Sequence, residues 1–261
     1  MDILTNQTTP NWRNKVPEIT LLFWIIKMMS TTVGETAADF LNADLHFGLI
    51  GTSIVMGVLL IISLFFQIRA KSYSPPLYWV SAVFISVFGT LITDNLSDNL
   101  GVPLAISTGV FTVALIATFG VWYFKEKTLS IHSIDSVKRE LFYWMAILFT
   151  FALGTAAGDW AAEGLNMGYT NAALLFGGLI TATAIAYYVF EINAVACFWI
   201  VYILTRPFGA SCGDLLSQPV SNGGLGIGTI STSILFLMTI IGLVTYLTFT
   251  QKKQTYNLEK K

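Results

Sequence analysis

The sequence predicts an all-α, polytopic membrane protein with eight transmembrane helices, built from four parallel two-helix repeats arranged as two pseudo-symmetric halves. Three observations lead to this prediction: the composition, a set of eight apolar runs, and a motif that occurs four times. Of the 261 residues, 54% are hydrophobic and 11% are charged, whereas roughly 25% of the residues in soluble globular domains are charged. The composition therefore excludes an ordinary soluble domain. The lipid bilayer is the expected partner, and no nucleic acid is expected to bind.

The repeated motif is a tryptophan, nine residues, a glycine, four residues and an aspartate. Its four copies are Trp24, Gly34 and Asp39; Trp79, Gly89 and Asp94; Trp144, Gly154 and Asp159; and Trp199, Gly209 and Asp214. A hydroxyl residue lies three or four positions before each glycine, and these are Thr31, Ser86, Thr150 and Thr205. The tryptophans are 55, 65 and 55 residues apart, which indicates two similar halves with a longer middle connection.

Eight apolar runs reach the length of roughly 20 residues that is needed to cross a bilayer. They cover about residues 18–41, 48–68, 77–96, 103–124, 141–161, 169–190, 195–216 and 227–249. We predict one membrane domain over 18–249, repeats at about 18–69, 73–125, 138–191 and 193–249, and tails at 1–17 and 250–261. Turn-forming residues mark most of the breaks, but only Glu191 and Asn193 mark the sixth one.

The positive charges predict the orientation of the helices. Twelve of the 14 Lys and Arg residues lie in the tails or in loops that follow even-numbered helices. Because cytoplasmic loops are enriched in Lys and Arg, both termini are predicted to be cytoplasmic. Two helices per repeat then give all four repeats the same direction, so that equivalent residues lie at one depth. The four aspartates are therefore expected to form a ring toward the outer side of the membrane.

Charged and polar side chains follow one another inside the predicted helices. On the first helix, Lys27, Thr31, Glu35 and Asp39 are spaced by four residues and so lie along one stripe. The third helix repeats the pattern with Ser86, Thr90 and Asp94, and the seventh repeats it with Arg206 and Asp214. Since ionisable groups are costly in lipid, these stripes are expected to face one another inside the bundle.

Negative charge exceeds positive charge in this predicted interior. Five acids, namely the four aspartates and Glu35, stand against two bases, Lys27 and Arg206. Bound cations or retained protons would balance the excess. Carboxylate and hydroxyl oxygens suit hard ions such as Mg²⁺ and Mn²⁺. We therefore predict Asp39, Asp94, Asp159 and Asp214 as metal ligands or proton carriers, with Glu35 as an additional acid.

Structural roles compete with functional ones for the remaining motif residues. An aromatic belt at the membrane surface is the favoured interpretation of the tryptophans, and close helix packing is that of the glycines. Lys27 and Arg206 are interpreted as counter-ions that hold helices together, with substrate contact or charge relay as the alternative. The hydroxyl residues either support the site or bond only to backbone carbonyls of their own helix, and the residues concerned are Thr31, Ser86, Thr90, Thr150 and Thr205.

The four motifs resemble a family of bacterial membrane proteins with four tandem repeats, each with two membrane spans and a tryptophan. The tryptophans that carry this resemblance are Trp24, Trp79, Trp144 and Trp199. The resemblance implies the fold and an inner-membrane location in a bacterium, but no activity. Lys27 and Glu35 in the first repeat and Pro207 in the fourth depart from the other repeats, which suggests that these two repeats are specialised.

A secondary transporter for a small inorganic cation is the first functional hypothesis, with export as the expected direction. The sequence lacks a phosphate-binding loop of the ATPase type, so transport would be driven by an ion gradient or would be passive. A proton-coupled carrier of a small organic solute and a non-transporting membrane scaffold are the alternatives. No enzyme activity and no cofactor are expected, because no nucleophile with a paired base is visible and neither histidine lies in a span.

Overall fold

The computed structural model describes residues 14–259, and the side chains of all of these except 43, 44 and 254–259. Within this range the fold is all-α, with eight long helices and no strands. The helices are α1 (Leu21–Asp39), α2 (Gly48–Arg69), α3 (Pro75–Asp94), α4 (Leu104–Glu126), α5 (Val137–Asp159), α6 (Gly168–Phe190), α7 (Ala194–Ser217) and α8 (Thr229–Glu259). The eight apolar runs thus correspond one by one to eight helices.

Seven of the eight helices in this part of the chain, α2 to α8, are long and apolar enough to cross a membrane. The exception is α1, because Lys27, Glu35 and several hydroxyl residues lower its hydropathy. These polar side chains of α1 are buried inside the bundle. The helix set is that of a multi-pass membrane protein.

Local sequence signals explain where the helices begin and end. Pro75 opens α3, where its missing N–H would have no partner in any case. The weakly marked sixth break is a tight turn in which Glu191 adopts a left-handed conformation with φ of 52°. Asn193 then caps α7 by accepting hydrogen bonds from the backbone N–H groups of Val195 and Ala196 at 3.0 and 3.1 Å.

The structure describes part of each of the two predicted tails, residues 1–17 and 250–261, and the described parts differ from the prediction. The helix α8 continues through residues 250–259, although the predicted span ended at 249. At the other end, Lys15 is buried and pairs with Glu140 of α5, with 2.7 Å between Nζ and Oε2. Residues 1–13 of the predicted N-terminal tail, Arg13 among them, lie outside the described residues, as do Lys260 and Lys261.

The odd-numbered helices form an inner ring, and the even-numbered helices lie outside it. Around the ring, α1 packs against α3, α3 against α5, α5 against α7, and α7 against α1. Each outer helix packs against the next inner one, so that α2 contacts α3, α4 contacts α5, α6 contacts α7, and α8 contacts α1. Because α8 packs on α1, the arrangement closes on itself.

Aromatic residues close the ring at the end where the repeat tryptophans lie, which we call the tryptophan end. The aromatic residue before each tryptophan packs on the tryptophan of a neighbouring repeat, with ring centroids 5.4 to 6.1 Å apart. The pairs are Phe23 with Trp79, Tyr78 with Trp144, Tyr143 with Trp199, and Phe198 with Trp24. Equivalent residues therefore meet in cyclic order.

The prediction of a surface belt is wrong for three of the tryptophans. Trp79, Trp144 and Trp199 are at most 4% exposed and belong to the main hydrophobic core. Trp24 is partly buried and packs against the same core. An aromatic belt requires rings that face lipid headgroups, whereas these rings fill the space between inner helices.

The repeat glycines mark the closest contacts between inner helices. A Cβ on Gly34 would lie 1.9 Å from Ser86 Oγ, and one on Gly89 would lie 2.6 Å from Phe151 Cβ. Equivalent Cβ atoms on Gly154 and Gly209 would lie 2.1 Å from Arg206 Cγ and 2.6 Å from Thr31 Cγ2. In every case the residue contacted is three positions before the glycine of the next repeat. The glycines therefore have the packing role that was predicted for them.

Candidate cation-binding site

The polar stripes of the inner helices face the centre of the ring. Lys27, Thr31, Glu35, Ser86, Thr90, Arg206 and Asp214 are all buried. From the tryptophan end, Lys27 comes first, followed by the level of Thr31 and Arg206, then Glu35 and Thr90, and then the repeat aspartates. We call the last level the aspartate end. The expectation that the charged stripes lie inside the bundle is confirmed by this burial.

Arg206 lies at the centre of the polar network and is fully buried. Its Nη1 donates to the backbone oxygen of Thr31 at 2.9 Å, and its Nη2 donates to Glu35 Oε2 at 3.1 Å. Nη2 also donates to the hydroxyl groups of Thr155, at 2.7 Å, and Thr90. Since Glu35, Thr90 and Thr155 each follow the glycine of their repeat, Arg206 of the fourth repeat reaches one equivalent position in each of the other three.

Lys27 has a different environment from that of Arg206. Its Nζ donates to Thr31 Oγ1 at 3.0 Å and lies 4.4 and 4.5 Å from the ring centroids of Phe151 and Tyr202. Rings at these distances attract a cation through their negative faces. Among the described residues, no carboxylate forms an ion pair with Lys27. The predicted role of Lys27 as a counter-ion that holds helices together thus has no direct ion pair behind it in the described part of the chain, and it stays a prediction.

Three acids from three repeats converge beyond Arg206. One carboxylate oxygen from each of Glu35, Asp159 and Asp214 lies within 4.8 Å of those of the other two. Such a spacing suits a single hard cation, to which carboxylate oxygens bind at about 2.0–2.6 Å. Glu35 retains a second function here, because it also pairs with Arg206. The three residues form the acid triad, a group with the geometry of a metal site.

Asp39 and Asp94 lie beside the acid triad but do not belong to it. Asp94 interacts electrostatically with Glu35, Asp159 and Asp39, and Asp214 interacts with the same Glu35, Asp159 and Asp39. All four repeat aspartates are thus brought together at one end of the inner ring, as the sequence predicted. Of the four predicted ligands, Asp159 and Asp214 form a close group with Glu35 among the described residues, and the ligand roles of Asp39 and Asp94 stay predictions.

Further acids surround this end of the bundle. Asp98 and Glu163 are exposed in the turns that follow α3 and α5, and Glu163 interacts electrostatically with Asp159 and Asp214. Asp44 follows Asp39 in the same way, but its side chain lies outside the described residues. Acidic groups around an opening raise the local concentration of cations.

The backbone changes its winding immediately after three of the repeat aspartates. A π-helical turn follows Asp39, Asp94 and Asp159, and covers Phe40–Asp44, Asn95–Asn99 and Trp160–Gly164. In the fourth repeat α7 continues through Asp214 to Ser217. Wide turns of this type occur frequently at functional sites. They allow each aspartate to lie at the end of an inner helix and still remain in the ring.

Three residues around the charges were not predicted from the sequence. Thr155 bonds to Arg206, and the rings of Phe151 and Tyr202 contact Lys27. Thr155 could have been found, because it follows its repeat glycine as Glu35 and Thr90 do. The hydroxyls predicted instead, Thr150 and Thr205, bond to backbone oxygens of their own helices at 2.7 and 2.8 Å. These two have the structural role that was the alternative for them.

Similarity to other proteins identifies a family but no activity. A model of the family described as Repeat of Unknown Function (DUF347) matches residues 22–73, 77–128, 142–193 and 197–253. The chain belongs to this family. Each match covers most of one inner helix and of the outer helix that follows it, which confirms the predicted membership in a family with four tandem repeats. No curated protein and no solved structure matches the chain.

Proposed function

We propose that this member of the repeat family is a secondary transporter of a small inorganic cation, specifically a hard divalent metal such as Mn²⁺ or Mg²⁺. The observation that carries the proposal is the acid triad, whose carboxylate oxygens lie within 4.8 Å of one another. Among the described residues, Arg206 on Glu35 is the one ion-pair partner of these three carboxylates, so in their ionised form they repel one another. A divalent cation between them would remove that repulsion and gain three oxygen ligands.

The proposal includes the position of the chain in the membrane. All eight inner and outer helices would cross the bilayer of a bacterial inner membrane, with both termini in the cytoplasm and α1 as a member of the inner ring on which α8 packs. The four repeats would be parallel, and the longer connection between the second and third would separate two pseudo-symmetric halves. The acid triad and the exposed acids around it would then lie toward the outer side.

Arg206 gives the empty site a resident positive charge. Its salt bridge to Glu35, with 3.1 Å between Nη2 and Oε2, compensates one carboxylate of the triad. Full burial excludes water from this guanidinium, so that its charge acts strongly on neighbouring groups. The incoming cation would therefore compete with Arg206 for Glu35, which would keep the affinity low enough for release. An ion gradient would supply the energy, and export would be the direction.

Metal binding to the purified protein in detergent tests the proposal. Calorimetry with Mn²⁺, Mg²⁺, Ca²⁺, Zn²⁺ and Co²⁺ would compare the wild type with Asp159→Asn and Asp214→Asn. Asp98→Asn is the matched control, since Asp98 is exposed and lies outside the triad. Binding that both triad variants lose and the control retains supports the proposal and justifies flux measurements in vesicles. Absence of binding in the wild type refutes it.

A proton-coupled carrier of a small organic solute is the second candidate. The observation that favours it is the ammonium group of Lys27, which is buried without a carboxylate partner among the described residues and could pair with a carboxylate of a solute. Arg206 favours this candidate less, since four protein groups already occupy its guanidinium. Exchanging Lys27 for Gln separates the candidates, because an anion carrier would lose solute binding whereas a cation carrier would retain its metal preference.

A non-transporting scaffold is the remaining alternative from the sequence. A scaffold predicts that Asp159→Asn and Asp214→Asn are tolerated as long as the helices still pack. The same binding experiment therefore distinguishes it from the cation transporter.

A further inference from the structure

Lys27 is a buried base that the proposed cation site does not use. Its side chain is 1% exposed, and its Nζ donates a hydrogen bond to the hydroxyl of Thr31 at 3.0 Å. Two aromatic rings, those of Phe151 and Tyr202, occupy the space at 4.4 and 4.5 Å. An ammonium group has three donors, and burial without a carboxylate makes its charged form costly. Buried lysines change their protonation readily for this reason.

The charged groups around Lys27 come mainly from two helices. Arg206 of α7 is the charge that acts on Lys27 across the ring, and Glu35 is two turns away on α1 itself. The further titratable groups on the other three ring helices are Tyr78 and Asp94 on α3, Lys138, Arg139, Glu140, Tyr143 and Asp159 on α5, and Cys197, Tyr202, Cys212 and Asp214 on α7. On α8, charged residues begin only at Lys252. Lys27 therefore faces a positive group nearby and the negative triad farther along the axis.

Lys27 and the acid triad lie on opposite sides of Arg206. Lys27 is three residues from Trp24, less than one helical turn, and eight residues from Glu35, or about 12 Å along α1. The amine is thus next to the tryptophan end, whereas the triad is next to the aspartate end. The proton site on Lys27 and the cation site in the triad are therefore nearest to opposite ends of the bundle.

We propose that Lys27 is the group that exchanges a proton for the transported cation, an inference that rests on the proposed function. When a divalent cation enters the triad, its charge disfavours the ammonium of Lys27, which releases one proton to water and becomes a neutral amine. When the cation leaves, the amine takes one proton from water again. At about 12 Å and an effective dielectric constant of about 20, each unit of charge shifts this equilibrium on the order of tenfold.

Two substitutions at Lys27 fix its charge in opposite states. Lys27→Met is always neutral, and Lys27→Arg is always charged because a guanidinium does not lose its proton in proteins. Lys71→Met is the matched control, since Lys71 is exposed in the loop before α3. All four proteins would be checked for folding by size exclusion and thermal unfolding. If one of the Lys27 variants does not fold, the other carries the comparison.

The measurement is the number of protons released for each Mn²⁺ bound, obtained by calorimetry in two buffers with different enthalpies of ionisation. We expect the wild type and Lys71→Met to release up to one proton more than either Lys27 variant. Mn²⁺ should also bind more tightly to Lys27→Met than to Lys27→Arg, by about tenfold or more. Equal proton numbers in variants that still bind Mn²⁺ would overturn the role of Lys27 and leave the cation site intact. A wild type that binds no Mn²⁺ would overturn both proposals.

Discussion

Replacement of Gly154 by Ala tests whether close packing of the inner ring positions the buried arginine. The new Cβ would lie 2.1 Å from Arg206 Cγ and 2.4 Å from Arg206 Cβ. Carbon atoms in contact are normally about 3.5–4.0 Å apart, so either Arg206 or the helix α7 has to move by about 1.5 Å. Arg206 cannot retain its bonds to Glu35 and Thr155 after such a displacement.

The magnitude follows from two contributions that share one cause. Overpacking of a dense core costs about 1–3 kcal/mol, and disruption of a buried ion pair costs about 3–5 kcal/mol. Because one displacement produces both, we expect a loss of roughly 3–5 kcal/mol in the free energy of unfolding. For a protein of this size, that corresponds to a decrease of about 10 °C in the midpoint of thermal unfolding.

Thermal unfolding in detergent, followed by tryptophan fluorescence, measures this effect. Gly120→Ala is the matched control, because a Cβ on Gly120 of α4 meets no atom within 4 Å. The control should unfold at the wild-type temperature or above it, since alanine favours a helix over glycine. Equal midpoints for Gly154→Ala and Gly120→Ala would refute the role of the glycine in positioning Arg206.

Three further predictions concern the ion pairs and the acid triad. Glu35→Gln leaves the buried guanidinium of Arg206 without its carboxylate and should lower the free energy of unfolding by about 3–5 kcal/mol. Adding Arg206→Met should restore part of this stability, and a double-mutant cycle that shows no coupling would contradict the pairing. Asp214→Asn should weaken Mn²⁺ binding at least about tenfold, whereas Asp98→Asn should change it less than about twofold because solvent screening weakens exposed charges. Equal effects of the two variants in calorimetry would exclude the triad as the site. Glu140→Gln breaks a buried ion pair at the tryptophan end and should lower the free energy of unfolding by about 3 kcal/mol without a change in Mn²⁺ affinity. A loss of Mn²⁺ affinity would show instead that the two ends of the bundle are coupled.

The sequence predicted the helices well because hydrophobic runs and turn residues act locally. All eight runs became helices, including the pair on either side of Glu191 and Asn193, where the repeat spacing was the main argument. The burial of the polar stripes was also predictable, since a spacing of four residues places side chains on one face of a helix. Such arguments need no knowledge of which helices are neighbours.

The positions of three tryptophans and of the hydroxyl that reaches Arg206 on α5 could not be predicted, because the surroundings of these residues depend on neighbouring helices. A tryptophan near a helix end is compatible with a lipid interface and with a core, and only the cyclic contact of Trp79 with Phe23 decides between them. Likewise, Thr150 and Thr155 are both hydroxyl residues near Gly154, and they lie on different faces of α5. The face that reaches the centre depends on how α5 packs in the ring, which spacing along one helix does not determine.

The closed ring explains why charge is distributed so unevenly among the four repeats. Equivalent positions meet around one axis, so a charged residue repeated in all four would place four like charges close together in a medium of low dielectric constant. Three positions before the glycine, the chain has Thr31, Ser86, Phe151 and Arg206, of which one is charged. One position after the glycine it has Glu35, Thr90, Thr155 and Ala210, again with one charge. The two charges pair with each other, and the remaining positions supply hydroxyl partners or space. Four acids recur at equivalent positions only at the repeat aspartates, and under the proposed function a mobile cation or proton would balance these like charges.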